Sequence, residues 1–165
     1  MEEYIAEFLA NHHDGVEKVE SIEEADNMGN AIVRTKSGKN LIILIETFPT
    51  VEYNKHSERI FRVPVWQDKR KKIPAWGSDK DSCIDYVYYV LGDEVFMWDY
   101  RPFRDSVRKH IGYWAGLAEC EPYDWGFYVY ESGQSKEIWI SQRKMEGICE
   151  SFKSFGKVIP EKGEE

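Results

Sequence analysis

The chemistry within reach of this sequence starts with carboxylates on strands. Glu46 follows the apolar run Leu41 to Ile45 in the expected strand Lys39 to Thr47 (KNLIILIET), and Asp26 stands upstream of it. Mg²⁺-assisted cleavage of a phosphodiester needs two or three hard oxygen ligands and usually a lysine. The ion must hold a phosphate oxygen while it lowers the pKa of the attacking water. One economical layout puts an acid on one strand, an acid two residues before a lysine on the next, and a glutamate on a preceding helix. The chain imitates this layout imperfectly. Glu46 and Asp26 are the candidate catalytic and metal-binding residues, with Lys36 or Lys39 supplying an ammonium from elsewhere. The expected cofactor is Mg²⁺ if such a site is active, and none otherwise.

A second constellation is basic. Arg59, Arg62, Lys69, Arg70, Lys71 and Lys72 face Asp68 alone, and Trp66 and Trp76 bracket the run Lys69 to Lys72. Cations neutralise phosphates and an exposed indole stacks on a base, so this pattern suits a single strand or a distorted duplex of DNA or RNA. Arg101, Arg104 and Arg108, at i, i+3 and i+7, extend the surface along a helix. A third constellation is acidic: Glu17, Glu20 and Glu24 share one face if a helix extends that far back, a surface that would occupy the basic groove of a protein partner. The aromatic run Tyr113, Trp114, Tyr123, Trp125, Phe127, Tyr128 and Tyr130 is expected mostly in the core, with any exposed remainder pointing to a partner. Nucleophilic and nucleotide-cradling chemistry is not written here. The chain lacks GxSxG, GxxxxGK[ST] and GxGxxG. Cys83, Cys120 and Cys149 form no CxxC pair, and the four histidines form no HExxH, so reduced thiols are expected and no thiolate or histidine zinc site.

These groups depend on the elements that carry them. Tyr4, Ile5, Phe8 and Leu9 mark a short amphipathic helix. Ser21-Ile22-Glu23-Glu24 fits a capping box for a second one running to Met28. Asn30 to Thr35 and Lys39 to Thr47 flank Lys36-Ser37-Gly38 as a hairpin, and the unbroken apolar run Leu41 to Ile45 predicts a strand covered on both faces. Arg59 to Trp66 contains Pro64 and reads as an edge or terminal strand, followed by a loop from Asp68 to Asp81. Asp85 to Leu91 and Glu94 to Tyr100 form a second hairpin around Gly92-Asp93. A helix follows from Pro102 to about Leu117. A third hairpin turns at Ser132-Gly133, and Ser141 caps a last helix with the stripe Met145, Ile148, Cys149, Phe152 and Phe155, ended by Gly156. The expected fold is α+β: one domain over residues 1–160 with a frayed tail at 161–165, its central mixed or mainly antiparallel sheet built from hairpins and flanked by helices.

The order helix, acidic helix end, strand, turn, strand ending in Glu46, then third strand resembles the core of the PD-(D/E)XK, or restriction-endonuclease-like, superfamily. Within it the chain looks most like small phage and prophage proteins. It shares with them Ala25-Asp26 before the first strand, Ile84-Asp85-Tyr86-Val87-Tyr88-Tyr89, and Trp98-Asp99-Tyr100-Arg101-Pro102-Phe103-Arg104. The resemblance spans roughly Glu17 to Val107 and implies a nuclease fold that binds nucleic acid. The departures imply a degenerate site: Asn30 stands where the family pattern places a metal-binding aspartate, and Phe48 stands where it places the lysine.

Composition bounds these readings. With 165 residues, 42% hydrophobic, 32% charged and 15% aromatic, the chain belongs to a folded protein with an aromatic core. The net charge of −8 is concentrated at the start: Met1 to Met28 hold nine acids and one lysine, leaving the remainder neutral and compatible with nucleic acid. No apolar run reaches the ~20 residues that span a bilayer, and Met1-Glu2-Glu3 is not the basic start of a signal peptide, so a cytoplasmic protein without a membrane partner is expected. The expected function is nucleic acid binding with little or no cleavage. The alternative is a non-catalytic protein-interaction or counter-defence module of a phage or prophage.

Overall fold

The computed structural model describes residues 16–22, 31–35, 38–120 and 127–157. The elements are β1 (Val16–Ile22), β2 (Ala31–Thr35), β3 (Asn40–Phe48), β4 (Ile60–Asp68), β5 (Ile73–Pro74), β6 (Tyr86–Leu91), β7 (Glu94–Asp99), α1 (Tyr100–Cys120), β8 (Phe127–Ser132), β9 (Ser135–Ser141), α2 (Gln142–Ile148) and β10 (Lys153–Lys157). The class is α+β and its sheets are mainly antiparallel, as expected, but two sheets replace the single central one. The chain divides into two compact units, one of Met1–Pro49, Cys83–Tyr100 and Lys153–Glu165, the other of Thr50–Ser82 and Arg101–Phe152.

The first unit holds a six-stranded sheet ordered β1-β2-β3-β6-β7-β10. Among the described strands only the β3–β6 pair is parallel, with Ile43 opposite Tyr86 and Glu46 opposite Tyr89. The hairpins β2–β3 and β6–β7 therefore lie side by side in one sheet. Leu41, Ile43, Leu44 and Ile45 are all buried, as an apolar run in a parallel-paired strand requires. Asp85 fixes the start of this pairing: its backbone N–H donates to Ile42 O at 2.8 Å, and its carboxylate Oδ2 accepts from Ile42 N at 2.9 Å. Gly92, at φ 61°, turns β6 into β7 in the left-handed region that glycine tolerates.

The second unit holds a four-stranded antiparallel sheet ordered β5-β4-β9-β8. Period-2 alternation gives it one apolar face: Phe61, Val63, Val65, Phe127, Ile138 and Ile140 are buried. Trp114 of α1 stacks on Phe127 with ring centroids 5.0 Å apart, and α2 adds the buried Met145. Ser141 caps α2, its Oγ accepting from Lys144 N.

Several expectations change. Ser21 and Ile22 end strand β1, so the capping-box helix does not begin there, while Tyr4 to Leu9 and residues 23–30 lie outside the described residues. β4 is not an edge strand, since β5 and β9 pair with it on either side. Pro64 is accommodated because the register shifts between Pro64 and Trp66, a bulge where a missing N–H costs little. The expected loop from Asp68 to Asp81 contains β5 and the buried Ala75, Trp76 and Gly77. The last helix stops at Ile148, and Phe155 belongs to strand β10 paired with β7. Cys149 is buried and Cys83 exposed. Among the described residues no helix is long and apolar enough to cross a membrane.

Candidate functional site

The carboxylate expected to carry chemistry lies on an apolar face. Along β3 the residues Leu44, Glu46 and Phe48 point to one side, in register with Val87, Tyr89 and Leu91 of β6, while Trp98 and Phe96 follow on β7. Phe48 and Trp98 each contact the Tyr89 ring, at 5.2 and 4.9 Å between centroids. Glu46 is half-buried among these groups, and burial lifts its carboxyl above the ordinary 4.5. Lys39 lies just before β3, seven residues back from Glu46, roughly 23 Å at about 3.3 Å per residue. Asp85 is engaged at the Ile42 end of β3. Asp26, Asn30 and Lys36 lie outside the described residues. Among the described residues no three His, Cys, Asp or Glu side chains are grouped so as to hold a metal ion.

A carboxyl whose folded pKa is raised favours the folded state below its unfolded value and loses that contribution as pH rises through the folded one. Glu46→Gln removes the ionisable group and is therefore expected to be more stable than the native chain at pH 7. The difference should close as the pH falls below 4.5, as read by urea unfolding across that range. A difference that stays constant with pH would assign the effect to packing instead.

The other expected site residues separate into three groups. Glu17 and Glu20 lie on strand β1, so the helical spacing that would align them does not exist, and Glu24 lies outside the described residues. Arg104 and Arg108 are tied to backbone: Arg104 Nη1 donates to Lys80 O at 3.1 Å, and Arg108 Nη1 to Ser78 O at 3.0 Å. Both fasten the segment after β5 to α1. Arg101 is exposed at the start of that helix. Trp76 is only 2% exposed and offers no face to a base. Trp66 is half-buried on β4, just past the bulge.

The basic run Lys69 to Lys72 forms an exposed turn. Asp68 Oδ1 accepts from Arg70 N at 3.0 Å and Lys71 N at 3.1 Å, and Lys72 adopts φ 54°, which closes a tight turn between β4 and β5. Lys69 is held by Glu131 at 2.8 Å, a hydrogen bond that draws the Glu131 carboxyl below its ordinary range. Arg70, Lys71 and Lys72 are exposed and have no ion-pair partner among the described residues.

Beside this turn, the face of the four-stranded sheet opposite its apolar side is lined with aromatics. Register places Arg62, Trp139 and Tyr128 in one row and Pro64, Glu137 and Tyr130 in the next. Trp139 is packed between Tyr128, at 5.3 Å, and Tyr130, at 5.8 Å and 25° between planes. The Arg62 guanidinium lies 5.0 Å from the indole centroid, a cation–π contact. One oxygen holds the group together. Glu137 Oε1 accepts from Arg62 Nη2 at 2.9 Å, from Arg62 Nε at 3.2 Å and from Trp139 Nε1 at 2.6 Å. Tyr130 is 43% exposed, and Tyr128 and Trp139 are half-buried, so the group meets solvent chiefly at Tyr130.

Comparison with known proteins leaves this geometry to stand by itself. No family model, curated protein or solved structure matches the chain. Arg62 and Trp66 are marked by charge and by aromaticity in the sequence, whereas Tyr128 and Tyr130 belong to the aromatic run expected mostly in the core, and Trp139 is covered only by the expected strand Glu137 to Ile140. The distinguishing signal is the alternation itself: Phe127, Ile138 and Ile140 are apolar and buried and Val129 is apolar and half-buried, which sends Tyr128, Tyr130, Glu137 and Trp139 the other way.

Proposed function

We propose that the protein binds single-stranded nucleic acid on the aromatic face of its four-stranded sheet, with the turn Lys69 to Lys72 engaging the backbone phosphates. The observation that carries this reading is the Tyr128–Trp139–Tyr130 group, with Tyr130 exposed, next to three exposed cations, Arg70, Lys71 and Lys72, that have no ion-pair partner among the described residues. Flat aromatic surfaces accept unstacked bases, and neighbouring cations follow the chain of phosphates. Charge is consistent with it: the segments Thr50–Ser82 and Arg101–Phe152 carry 15 Lys or Arg against 13 Asp or Glu, while the rest of the chain holds the negative excess. A duplex would hide the base faces this surface fits. Little or no cleavage accompanies binding in this reading, because Glu46 stands in register with Tyr89 on an apolar face and, among the described residues, no three His, Cys, Asp or Glu side chains are grouped so as to hold a metal ion.

The test is binding of a fluorescent 15-mer single strand across a salt series. The affinity should fall steeply with salt, and replacing Arg70, Lys71 and Lys72 by Gln should make the log–log slope shallower by about 2 units, at roughly 0.7 for each phosphate contact on a single strand. Salt-insensitive binding, or an unchanged slope in the triple variant, would remove the turn from the interface. The second reading, a protein-interaction module encoded by a phage or prophage, is favoured by the exposed Tyr53, Ile73 and Tyr113. It predicts no oligonucleotide binding at any salt concentration, together with a stable partner in a pull-down that is lost when these residues are replaced by Ser.

A further inference from the structure

The clamp that holds Trp139 leaves half of its carboxylate unused. Every hydrogen bond to Glu137 goes to Oε1, and Oε2 accepts none among the described residues. The Glu137 side chain is 20% exposed and sits in register between Tyr130 and Pro64, on the face where Tyr130 meets solvent. An ionised carboxylate has only acceptor atoms. Its Oε1 is pinned by two Arg62 nitrogens and the indole, so the direction in which Oε2 is offered is set before any ligand arrives.

We infer that Glu137 Oε2 makes this surface selective for cytosine over thymine or uracil. The inference rests on the nucleic-acid reading above and names the base that the platform prefers. Cytosine carries an N4 amino donor where thymine and uracil carry the O4 acceptor. A cytosine stacked on the Tyr130–Trp139 surface can donate N4–H to the waiting oxygen. A thymine in the same position sets acceptor against acceptor and takes both out of water without a hydrogen bond, which is the costly case. Arg62 belongs to the same device as a positioning residue: it neutralises Glu137 sufficiently for a carboxylate to stand beside a phosphodiester chain, and it fixes which oxygen is used.

The experiment compares oligo(dC)15, oligo(dT)15 and a 15-mer of N4,N4-dimethyldeoxycytidine by fluorescence anisotropy with the full chain at pH 7.5 and fixed salt. Oligo(dC) is expected to bind about tenfold more tightly than oligo(dT), one good base-edge contact's worth. The dimethylated oligomer, which has the same ring but no N4 donor, should bind like oligo(dT). In Glu137→Gln the amide oxygen can still hold Trp139 and Arg62 while the amide nitrogen now donates, so the preference should fall to unity or reverse. Tight binding of all three oligomers to the native chain with equal affinity would overturn the base preference and leave the binding reading intact. Failure of all three to bind would overturn both. The native-chain comparison does not depend on whether the variant folds.

Discussion

Trp139→Ala is expected to weaken binding of a single-stranded 15-mer by about 10- to 100-fold at moderate salt, since base–aromatic stacking contributes ~1–3 kcal/mol per base. Trp139 is the centre of the platform: Tyr128 and Tyr130 both contact it, and the Arg62 guanidinium covers part of it. Removing the indole takes away its own surface and leaves both tyrosines without the ring that orients them. The Arg62–Glu137 pair survives the change, so the charge of the surface is preserved and the salt slope should stay close to that of the native chain. This separates Trp139→Ala from the triple change in the basic turn, which should alter the slope. Trp139→Phe keeps a ring and should retain most of the affinity, although it lacks the Nε1 donor to Glu137. Anisotropy titrations give both numbers. Native-like affinity in Trp139→Ala would place the binding surface elsewhere, whatever the basic turn does.

Gly77→Ala is expected to lower stability by about 3 kcal/mol, the upper end for inserting one carbon into a packed site. Gly77 follows the buried Trp76 and lies against β4, donating its N–H to Pro64 O at 3.1 Å. A Cβ there would overlap the Pro64 carbonyl oxygen and come within 2.6 Å of Val63 Cγ1. The obstacle is backbone in a sheet and not the end of a flexible side chain, so it cannot simply turn away. The neighbouring Ala75 N–H to Val65 O and Ser78 Oγ to Val65 O bonds run along the same stretch of β4 and would be strained together. For a chain of this size the loss should appear as a fall in Tm of roughly 10 °C in thermal unfolding. Because β4 carries Arg62 and Trp66 on its other side, a displaced β4 should also weaken oligonucleotide binding. A Tm within 2 °C of the native value would show that the segment 75–78 moves aside without cost.

Much of the local structure could be read in advance because its causes are local. Gly92 in Gly92-Asp93, Gly133 in Ser132-Gly133 and Gly38 all adopt positive φ at turns between strands, where glycine alone has no steric penalty. Ser141 caps its helix because a hydroxyl one residue ahead of the first turn meets an orphan amide. Leu41 to Ile45 is central because five consecutive apolar residues need cover on both faces. The misreadings have causes as specific. Ser21 and Glu24 have capping-box spacing, yet strand pairing of Val16–Ile22 with β2 overrides a propensity worth only a fraction of a kcal/mol per residue. Pro64 signalled an edge because a bulge cannot be distinguished from an edge without knowledge of the partner strand. The i, i+3, i+7 arginines of α1 looked like a phosphate-binding face, and two of them instead meet carbonyls of a segment more than twenty residues away.

By itself the amino-acid sequence determined the α+β class, the hairpins and their turns, the exposed basic run Lys69 to Lys72, and the missing lysine after Glu46. All of these depend on residue type and short-range spacing, which act within a few bonds of the chain. Only the tertiary structure decided that the strands form two sheets, that Trp76 is core while Tyr130 is surface, and that Arg62, Glu137 and Trp139 share one oxygen. Arg62 and Glu137 are 75 positions apart, and alternation along a strand says that its side chains point two ways without saying which way is covered. That choice belongs to the partner strands and to the helix laid against one face, and it converts a scatter of aromatic residues into a surface.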